Sequence, residues 1–494
     1  RLVAQRPLVA RTLVGQRPLP YIGPLTMGWF DFYGAAGGLY VKVGDVSPLP
    51  ETHLILRSEA ASRLLTLAVQ RWALCWPGER WTPGPCGLAP HAGDWHRAAD
   101  LYRTWFRQTF TQRPRPDWLV EADGYVMTGG PGYEFGQLPR VLENAQAIGI
   151  DYIQLWSQMT GGELSYHAFG FPNPYMGTEA DLRQAIRAIH RRGGRLGVYL
   201  NFNTGDPLLG TFLRQPRLAQ KIPRAIPRPG LDYLAEGWLQ QSLMDHTGSY
   251  SMWSTTVPGY LDDYWNTCPA GKAWTDYYAY WVVDKWAREY GLDVWYLDSC
   301  PVSRGSPCFA TDHGHRRPAA EGQSIIDFFA RLRRRAPRQF GLMQEYASDR
   351  LLQYGTHALG LMWHPPHAHP EVVRYTLPEY PLFSGMCNGN DGLKQFYPGE
   401  RLTSRDAIER VFLIGNRFEF PMSHRPPELA DDWQRRMVAL RRACHPEMSR
   451  GDFLDDLGLG ATPARVEARW FRHPEHTRVV ITLLDRREPS DRTA

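Results

Sequence analysis

The sequence is poor in lysine. Only five of its 56 basic residues are Lys (Lys42, Lys221, Lys272, Lys285 and Lys394), against 51 acidic residues and a formal charge of +5 over 494 residues. The remaining cations are the forked, permanently charged Arg, a bias that genomic codon preference accounts for as readily as chemistry does. The densest basic run, residues 331–335, is short and sits at a helix end. So weak and scattered an excess gives no electrostatic footprint for nucleic acid. No apolar run reaches the roughly 18 residues of a membrane-spanning helix. Cysteines are also sparse: Cys75, Cys86, Cys268, Cys300, Cys308, Cys387 and Cys444 are odd in number, widely spaced and contain no CxxC pair. Neither a disulfide framework nor a zinc knuckle is indicated by that spacing. Arg1 in place of Met, no apolar leader core and a polar tail read as trimmed ends. The sequence therefore assigns no compartment, and it assigns no oligomeric state.

Aromatic residues are plentiful. Eighteen Trp and 24 Tyr bring the aromatic share to 13%. Flat rings with a polar edge suit sugar faces, which present C–H groups to a platform and hydroxyls around the rim.

Along the chain, residues 1 to about 90 read as β-rich, with short runs at 39–43, 54–56 and 65–69 between Gly, Pro and polar signals. A helix follows in "GDWHRAADLYRTWFRQTF", where Asp94 is placed to cap and Ala98, Leu101, Tyr102, Trp105 and Phe106 share one face. Pro114 and Pro116 then mark a stiff linker. These signals divide the chain into an N-terminal β-rich domain with linker helix (1–114), a catalytic barrel (115–425) and an incomplete C-terminal β-rich domain (426–494).

Within the middle segment, strands alternate with amphipathic helices. Strands are expected at 123–127, 150–156, 195–203, 292–298, 339–345 and 357–363, then near 382, with a last one at 411–416 ("VFLIGN"). About eight such units in some 300 residues fit an α/β fold of the (β/α)8 TIM-barrel type, with an N-terminal β-sandwich-like domain before it and a C-terminal β domain after it. A doubly wound sheet is disfavoured because "MTGGPGYEFG" after the first strand lacks GxGxxG spacing.

A barrel builds its active site from the C-terminal ends of its strands. Those ends offer Trp156 and Gln158, Asn201 and Asn203, Asp298, Glu345, then Trp363 and His364. Carboxylate, amide, imidazole and indole groups together make a sugar-binding set. Neighbouring strands lie about 4.8 Å apart. Carboxyls level with each other on adjacent strands can therefore approach the roughly 5 Å separation of retaining glycosidases. Asp298 is expected to attack the anomeric carbon, and Glu345 to protonate the leaving oxygen and later activate water. Trp156, Gln158, Asn201, Asn203 and His364 are expected to bind an oligosaccharide or glycoconjugate substrate, with no cofactor. Trp295 and Tyr296 are expected to belong to strand packing. The insertion at 204–290, with Trp253, Tyr260, Asp262, Asp263 and Trp265, is read either as a lid or extra subsite or as a stabilising decoration.

Two rivals come from other classes. A barrel could bind carbohydrate without a productive acid pair. Alternatively, "MWHPPHAHP" (His364, His367, His369) and "CFATDHGH" (Cys308, Asp312, His313, His315) could supply zinc ligands to a metal-dependent hydrolase, although neither has HExxH spacing. No GxSxG occurs, which disfavours Ser-His-Asp chemistry.

The stretches "DYIQLW…FGFPNPYMGTEADLRQAIRAIHRRGGRLGVYLNFN" and "CPAGKAWTDYYAYWVVDKWAREYGLDVWYLDS", with the "GDWHRAADLYRTWF" helix, resemble bacterial glycosidase-like TIM barrels. More distantly, they resemble endo-α-N-acetylgalactosaminidases and exo-acting α-N-acetylgalactosaminidases. The likeness spans roughly residues 90–420 and is sharpest at the "YLDS" strand end. It implies flanking β-sandwiches, an α-linked substrate, an Asp nucleophile after strand four at Asp298 and a Glu acid/base after strand five at Glu345. The related α-galactosidase clan places its acid after strand six. There this chain has His364 and no carboxylate before Glu371, a departure that favours Glu345.

Overall fold

The computed structural model describes residues 2–486 apart from 5, 9–18, 24, 60–63, 130–132, 157–171, 174–175, 203, 206–251, 255–262, 302–306, 317, 361–369, 386–402 and 423–431. Eight short, largely buried runs form the strands of a closed parallel barrel: β1 (Gly124–Gly129), β2 (Tyr152–Trp156), β3 (Arg195–Asn201), β4 (Val294–Asp298), β5 (Gly341–Gln344), β6 (His357–Leu359), β7 (Leu382–Gly385) and β8 (Arg417–Pro421). The ring closes through β8 and β1, with Phe418 opposite Gly124. Strands buried on both faces carry no polar-out alternation, which is why they read as near-continuous apolar runs.

Helices cover the outside: α1 (Leu138–Ala147), α2 (Glu179–Arg191), α3 (Lys272–Tyr278, continued by a π-helical stretch Ala279–Tyr290), α4 (Glu321–Arg335), α5 (Pro370–Thr376) and α6 (Ser404–Leu413). The start of α2 is set by a capping box in which Thr178 and Asp181 satisfy each other's backbone N–H. Leu182, Ala185, Ile186 and Ile189 then bury one face. Inside the barrel, Tyr125, Tyr152, Tyr199 and Tyr296 pack with Val294, Met343, Leu359 and Phe383. This tyrosine-rich plug fills the lumen and carries hydroxyls toward the mouth.

One expected strand is helix. The run 411–416 splits between the end of α6 and a turn, and the eighth strand lies just beyond, at Arg417–Pro421. A capping box between Thr403 and Asp406 starts α6 early enough for Ile408 and Val411 to face the barrel. An apolar run of that length looks the same on a buried helix face as on a strand.

Ahead of the barrel stand two antiparallel sheets. One has five strands, in the order Arg6–Leu8, Leu2–Ala4, Trp29–Gly34, Gly37–Val43, Cys86–His91. The other has three, Leu19–Tyr21, Glu51–Glu59 and Leu64–Trp72. Helix Trp95–Thr109 follows, with Asp94 accepting the His96 N–H at its cap. A three-stranded antiparallel sheet (Asp452–Phe453, Val466–Arg472, Val479–Asp485) lies near the end of the chain. In the β3–α3 insertion, Asp263–Asn266 pairs with both Thr204–Gly205 and Met252–Ser254. Tyr260 and Asp262 fall outside the described residues. Among the described residues no helix is long and apolar enough to cross a membrane.

The N-terminal sheets are locked to the barrel by a buried acid. Asp349, just beyond β5, accepts the Tyr21 hydroxyl at 2.9 Å, the Tyr102 hydroxyl and the Arg350 N–H at 2.6 Å. Burial lifts its carboxyl from 3.8 to about 6, against the lowering effects of Tyr102, Arg350 and Tyr21. A folded-state value above the unfolded one contributes stability fully present below the unfolded pKa and lost as pH rises through the folded one. Asp349 should therefore withdraw about 3 kcal/mol between about pH 4 and about pH 7. Asp349→Asn keeps an acceptor and removes the ionisation. Urea unfolding should show the wild type losing that much relative to the variant across the interval, and parallel pH curves would refute it.

Candidate active site

At the C-terminal mouth, β4 ends on Asp298 and β5 ends one residue before Glu345. Tyr296 is paired with Met343 and Leu297 with Gln344, so residues 298 and 345 stand level on adjacent strands. The Glu345 N–H extends the ladder to the Leu297 carbonyl at 3.2 Å. On the other side, Asn201 is paired with Asp298 across β3 and β4. Three neighbouring strands thus deliver one amide and two carboxyls to one place.

Each oxygen has a defined surrounding. Asp298 Oδ2 accepts from Tyr199 Oη at 2.9 Å, Asn201 Nδ2 at 3.0 Å and Ser299 Oγ at 3.4 Å, while Oδ1 accepts from Tyr296 Oη at 3.2 Å. Glu345 Oε2 accepts the Ser299 N–H at 2.7 Å. The two carboxyls also share a side-chain hydrogen bond. Ser299 has φ 55°, in the left-handed region that non-glycine residues seldom enter. The strained turn aims its N–H at one acid and its hydroxyl at the other, as backbone outliers at functional sites often do.

Both acids are pushed upward, but unequally. Burial raises Asp298, and hydrogen bonds from Tyr199, Glu345 and Tyr296 hold it back. Glu345 is driven well above the usual carboxylate range by burial first and then by the neighbouring Asp298 charge. Of the two, Glu345 is pushed further toward its protonated form. Two carboxyls this close titrate as one coupled unit.

Trp156, at the end of β2, stacks on Tyr199 with ring centroids 4.1 Å apart and 20° between planes, and its ring lies 5.7 Å from Tyr296. The structure therefore brings Trp156, Asn201, Asp298 and Glu345 to one cluster. Gln158, Asn203 and His364 lie outside the described residues, as do 157–171, 361–369, 386–402 and 423–431, which follow β2, β6, β7 and β8.

Three members of the cluster were not anticipated: Tyr199, Tyr296 and Ser299. Trp295 does belong to packing, stacked 5.6 Å from Trp286 on the helix side. Tyr296 does not stop there, because its side chain points into the lumen and its hydroxyl reaches Asp298. The signal was in the sequence: side chains two apart on a strand share a face. Tyr296 therefore shares the face of Asp298, and Tyr199 that of Asn201.

A cleft of about 340 Å³ lies at the opposite end of the barrel, lined by Asp123, Asp151, Arg195, Arg442 and His445 among others. Asp123 there is engaged by Arg441 at 3.0 Å, Arg442 at 2.9 Å and His445 at 2.9 Å. Such a network at the N-terminal face closes the barrel floor and is remote from the strand ends that carry chemistry.

A family model described as "Domain of unknown function (DUF6259)" matches residues 84–215. A protein of Bacteroides thetaiotaomicron named "Putative glycoside hydrolase" is 22% identical over 231 residues, 46% of this chain. That match spans only 30% of the relative's own length. Among solved structures, the α-N-acetylgalactosaminidase NagBb from Bifidobacterium bifidum superimposes with a TM-score of 0.63 at 13% identity, over 92% of this chain and 74% of its own. The GH36 α-galactosidase AgaA from Geobacillus stearothermophilus gives 0.59 at 10% identity, over 96% of this chain and 64% of its own. The chain thus shares the fold of these enzymes, an eight-stranded parallel barrel with separate antiparallel sheets.

Proposed function

We propose that the protein is a retaining glycoside hydrolase acting on an α-linked oligosaccharide or glycoconjugate. The observation that carries this reading is the Asp298–Glu345 pair, level on adjacent strands at the barrel mouth and joined by a side-chain hydrogen bond, with Glu345 pushed further toward its protonated form. An inverting pair stands roughly 6.5–9.5 Å apart, with a water between the acids. Carboxyls in contact, delivered by adjacent strands, suit double displacement.

In the first step Asp298 attacks the anomeric carbon while the Glu345 proton passes to the departing glycosidic oxygen. Tyr199, Asn201 and Ser299 occupy Oδ2, whereas Oδ1, which accepts the Tyr296 hydroxyl at 3.2 Å, is the oxygen placed to form the glycosyl ester. Glu345, now an anion, then takes a proton from water. The hydroxide so formed attacks the same carbon, and Asp298 departs as a carboxylate into the same donors. Two inversions return the starting configuration. The stacked Trp156 and Tyr199 rings supply an aromatic wall beside the pair. The α-linkage is supported by the likeness to an α-N-acetylgalactosaminidase and an α-galactosidase.

A panel of nitrophenyl α- and β-glycosides that includes α-N-acetylgalactosaminide and α-galactoside, with the first-formed product followed by NMR, tests the reading. The expected result is turnover of an α-glycoside with the α-anomer released first. A β-anomer appearing first would overturn retention even if hydrolysis occurred. Sugar binding without turnover anywhere in the panel would favour a carbohydrate-binding protein.

A further inference from the structure

Away from the strand ends, two connections of the barrel meet in a second cluster. The segment leading into α3 carries Cys268 in the turn Cys268-Pro269-Ala270-Gly271, closed by the Gly271 N–H on the Cys268 carbonyl at 2.9 Å. The segment from β4 to α4 carries Cys308, His313 and His315. Each of the four offers one ligand atom, and all four atoms lie within 4.8 Å of one another. Cys308 Sγ is already 3.4 Å from His313 Nδ1. In a tetrahedral zinc site, with Zn–S about 2.3 Å and Zn–N about 2.0–2.1 Å, ligand atoms stand roughly 3.3–3.8 Å apart. Small side-chain movements bring these four to that spacing.

The surroundings favour a cation over a chance encounter of polar groups. Cys268, Cys308 and His313 are buried, and Ala270 and Ala310 pack around the sulfurs. His315 Nδ1 lies 2.8 Å from the Arg316 carbonyl and donates to it, leaving Nε2 buried and turned to the Cys308 sulfur. An imidazole oriented by a backbone carbonyl is the usual outer partner of a zinc-bound histidine. Burial and the neighbouring Cys308 push the Cys268 thiol well above its ordinary range, against the lowering effect of the Ala270 and Gly271 N–H groups that point at its sulfur, so a thiolate there calls for a cation beside it. The frame is rigid as well: Cys308 and Ala319 exchange both backbone hydrogen bonds at 2.9 Å, and the Lys272 N–H donates to the His313 carbonyl at 2.8 Å. Gly314, at φ +72°, reverses the chain between the histidines where a Cβ would stand 3.2 Å from that of Lys272.

We propose that Cys268, Cys308, His313 and His315 bind a structural zinc ion that clips the β3–α3 connection to the β4–α4 connection, the one that opens with Ser299. Four protein ligands complete a tetrahedral shell and leave no position for water or substrate, which assigns the ion to architecture and not to hydrolysis. Each thiol releases its proton to solvent on binding, so two thiolates balance the divalent charge. Asp312, grouped with these residues on sequence spacing, is exposed and stands outside the cluster.

Protein from zinc-supplemented culture, stripped of loose metal by gel filtration, should hold about one zinc per chain by elemental analysis. Cys75→Ser, at an exposed cysteine, should leave that ratio unchanged, whereas Cys308→Ser and His315→Asn should each lower it below about a tenth. Cobalt exchanged into the wild type should show the intense visible bands of a tetrahedral thiolate site. That spectrum decides the matter if the cluster variants fail to fold. Wild type with less than about a tenth of a zinc per chain, a weak octahedral cobalt spectrum, or a Cys268–Cys308 disulfide in protein purified under reductant would each overturn the proposal. Metal content is read without reference to glycoside turnover, so the two proposals fail separately.

Discussion

Asp298→Asn should lower kcat on the best aryl α-glycoside by at least about 10⁴-fold, the order seen when a residue that forms the covalent intermediate is removed. Asparagine is nearly isosteric, keeps an acceptor oxygen for Tyr199 and Asn201 and can donate its NH2 to the Tyr296 hydroxyl, so the loss would report lost nucleophilicity and not a collapsed site. It also removes the negative charge that holds Glu345 protonated. Sugar binding, followed by calorimetry with the product monosaccharide, should survive because the Trp156–Tyr199 wall is untouched. A smaller variant, Asp298→Gly, provides a positive readout. With azide present, the vacated space admits an external nucleophile, and an α-glycosyl fluoride should yield the β-glycosyl azide. Residual activity within about tenfold of wild type in Asp298→Asn would remove this residue from the nucleophile's place.

Glu345→Gln should show a loss graded by leaving group. A poor leaving group depends on the proton, and general acid catalysis contributes typically 10²–10⁴-fold. Alkyl or sugar aglycones should therefore lose about that much, while dinitrophenyl glycosides and glycosyl fluorides, which depart unaided, lose far less in the first step. The wild-type rate should be bell-shaped in pH, with its acid limb requiring Asp298 ionised and its alkaline limb requiring Glu345 protonated. Because burial and the Asp298 charge raise Glu345, that alkaline limb should lie well above the usual carboxylate range and vanish in Glu345→Gln. A linked stability effect has a definite sign. An acid whose folded-state pKa is raised costs the fold stability progressively as pH rises from the unfolded value to the folded one, so the neutral glutamine variant should gain on the wild type across that window and melt higher in alkaline buffer. A flat pH profile in the wild type, or equal losses across leaving groups, would contradict the assignment of Glu345.

Much of this was legible in the chain itself. The strand ends carrying Asp298 and Glu345 stand out because the mostly apolar β4 stops on an acid and β5 has one directly after it, and an acid at a buried strand end is costly unless it is used. The helix at Trp95–Thr109 was marked by Asp94 and its apolar spacing, and α2 by Thr178 with Asp181. The eighth strand was misplaced because Val411–Ile414 suits either period, and the deciding cap at Thr403 lies well upstream. Tyr296 was assigned to packing, and Tyr199 was not singled out, because aromatic side chains in a buried strand ordinarily are packing. Their hydroxyls became polar partners only when the barrel's curvature turned them toward the mouth.

Local order along the chain was enough to specify strand, helix, their alternation, and hence a barrel with two acids on consecutive strands. These depend on periodicity and on residues a few positions apart. Closing the barrel decided the rest: that the two acids meet, that Glu345 is pushed further toward its protonated form, that Ser299 bridges them from a left-handed turn, and that Cys268 comes within reach of Cys308, His313 and His315. Such contacts arise between segments far apart in the chain. Their energies depend on burial and register, which exist only once the long-range sheet has formed.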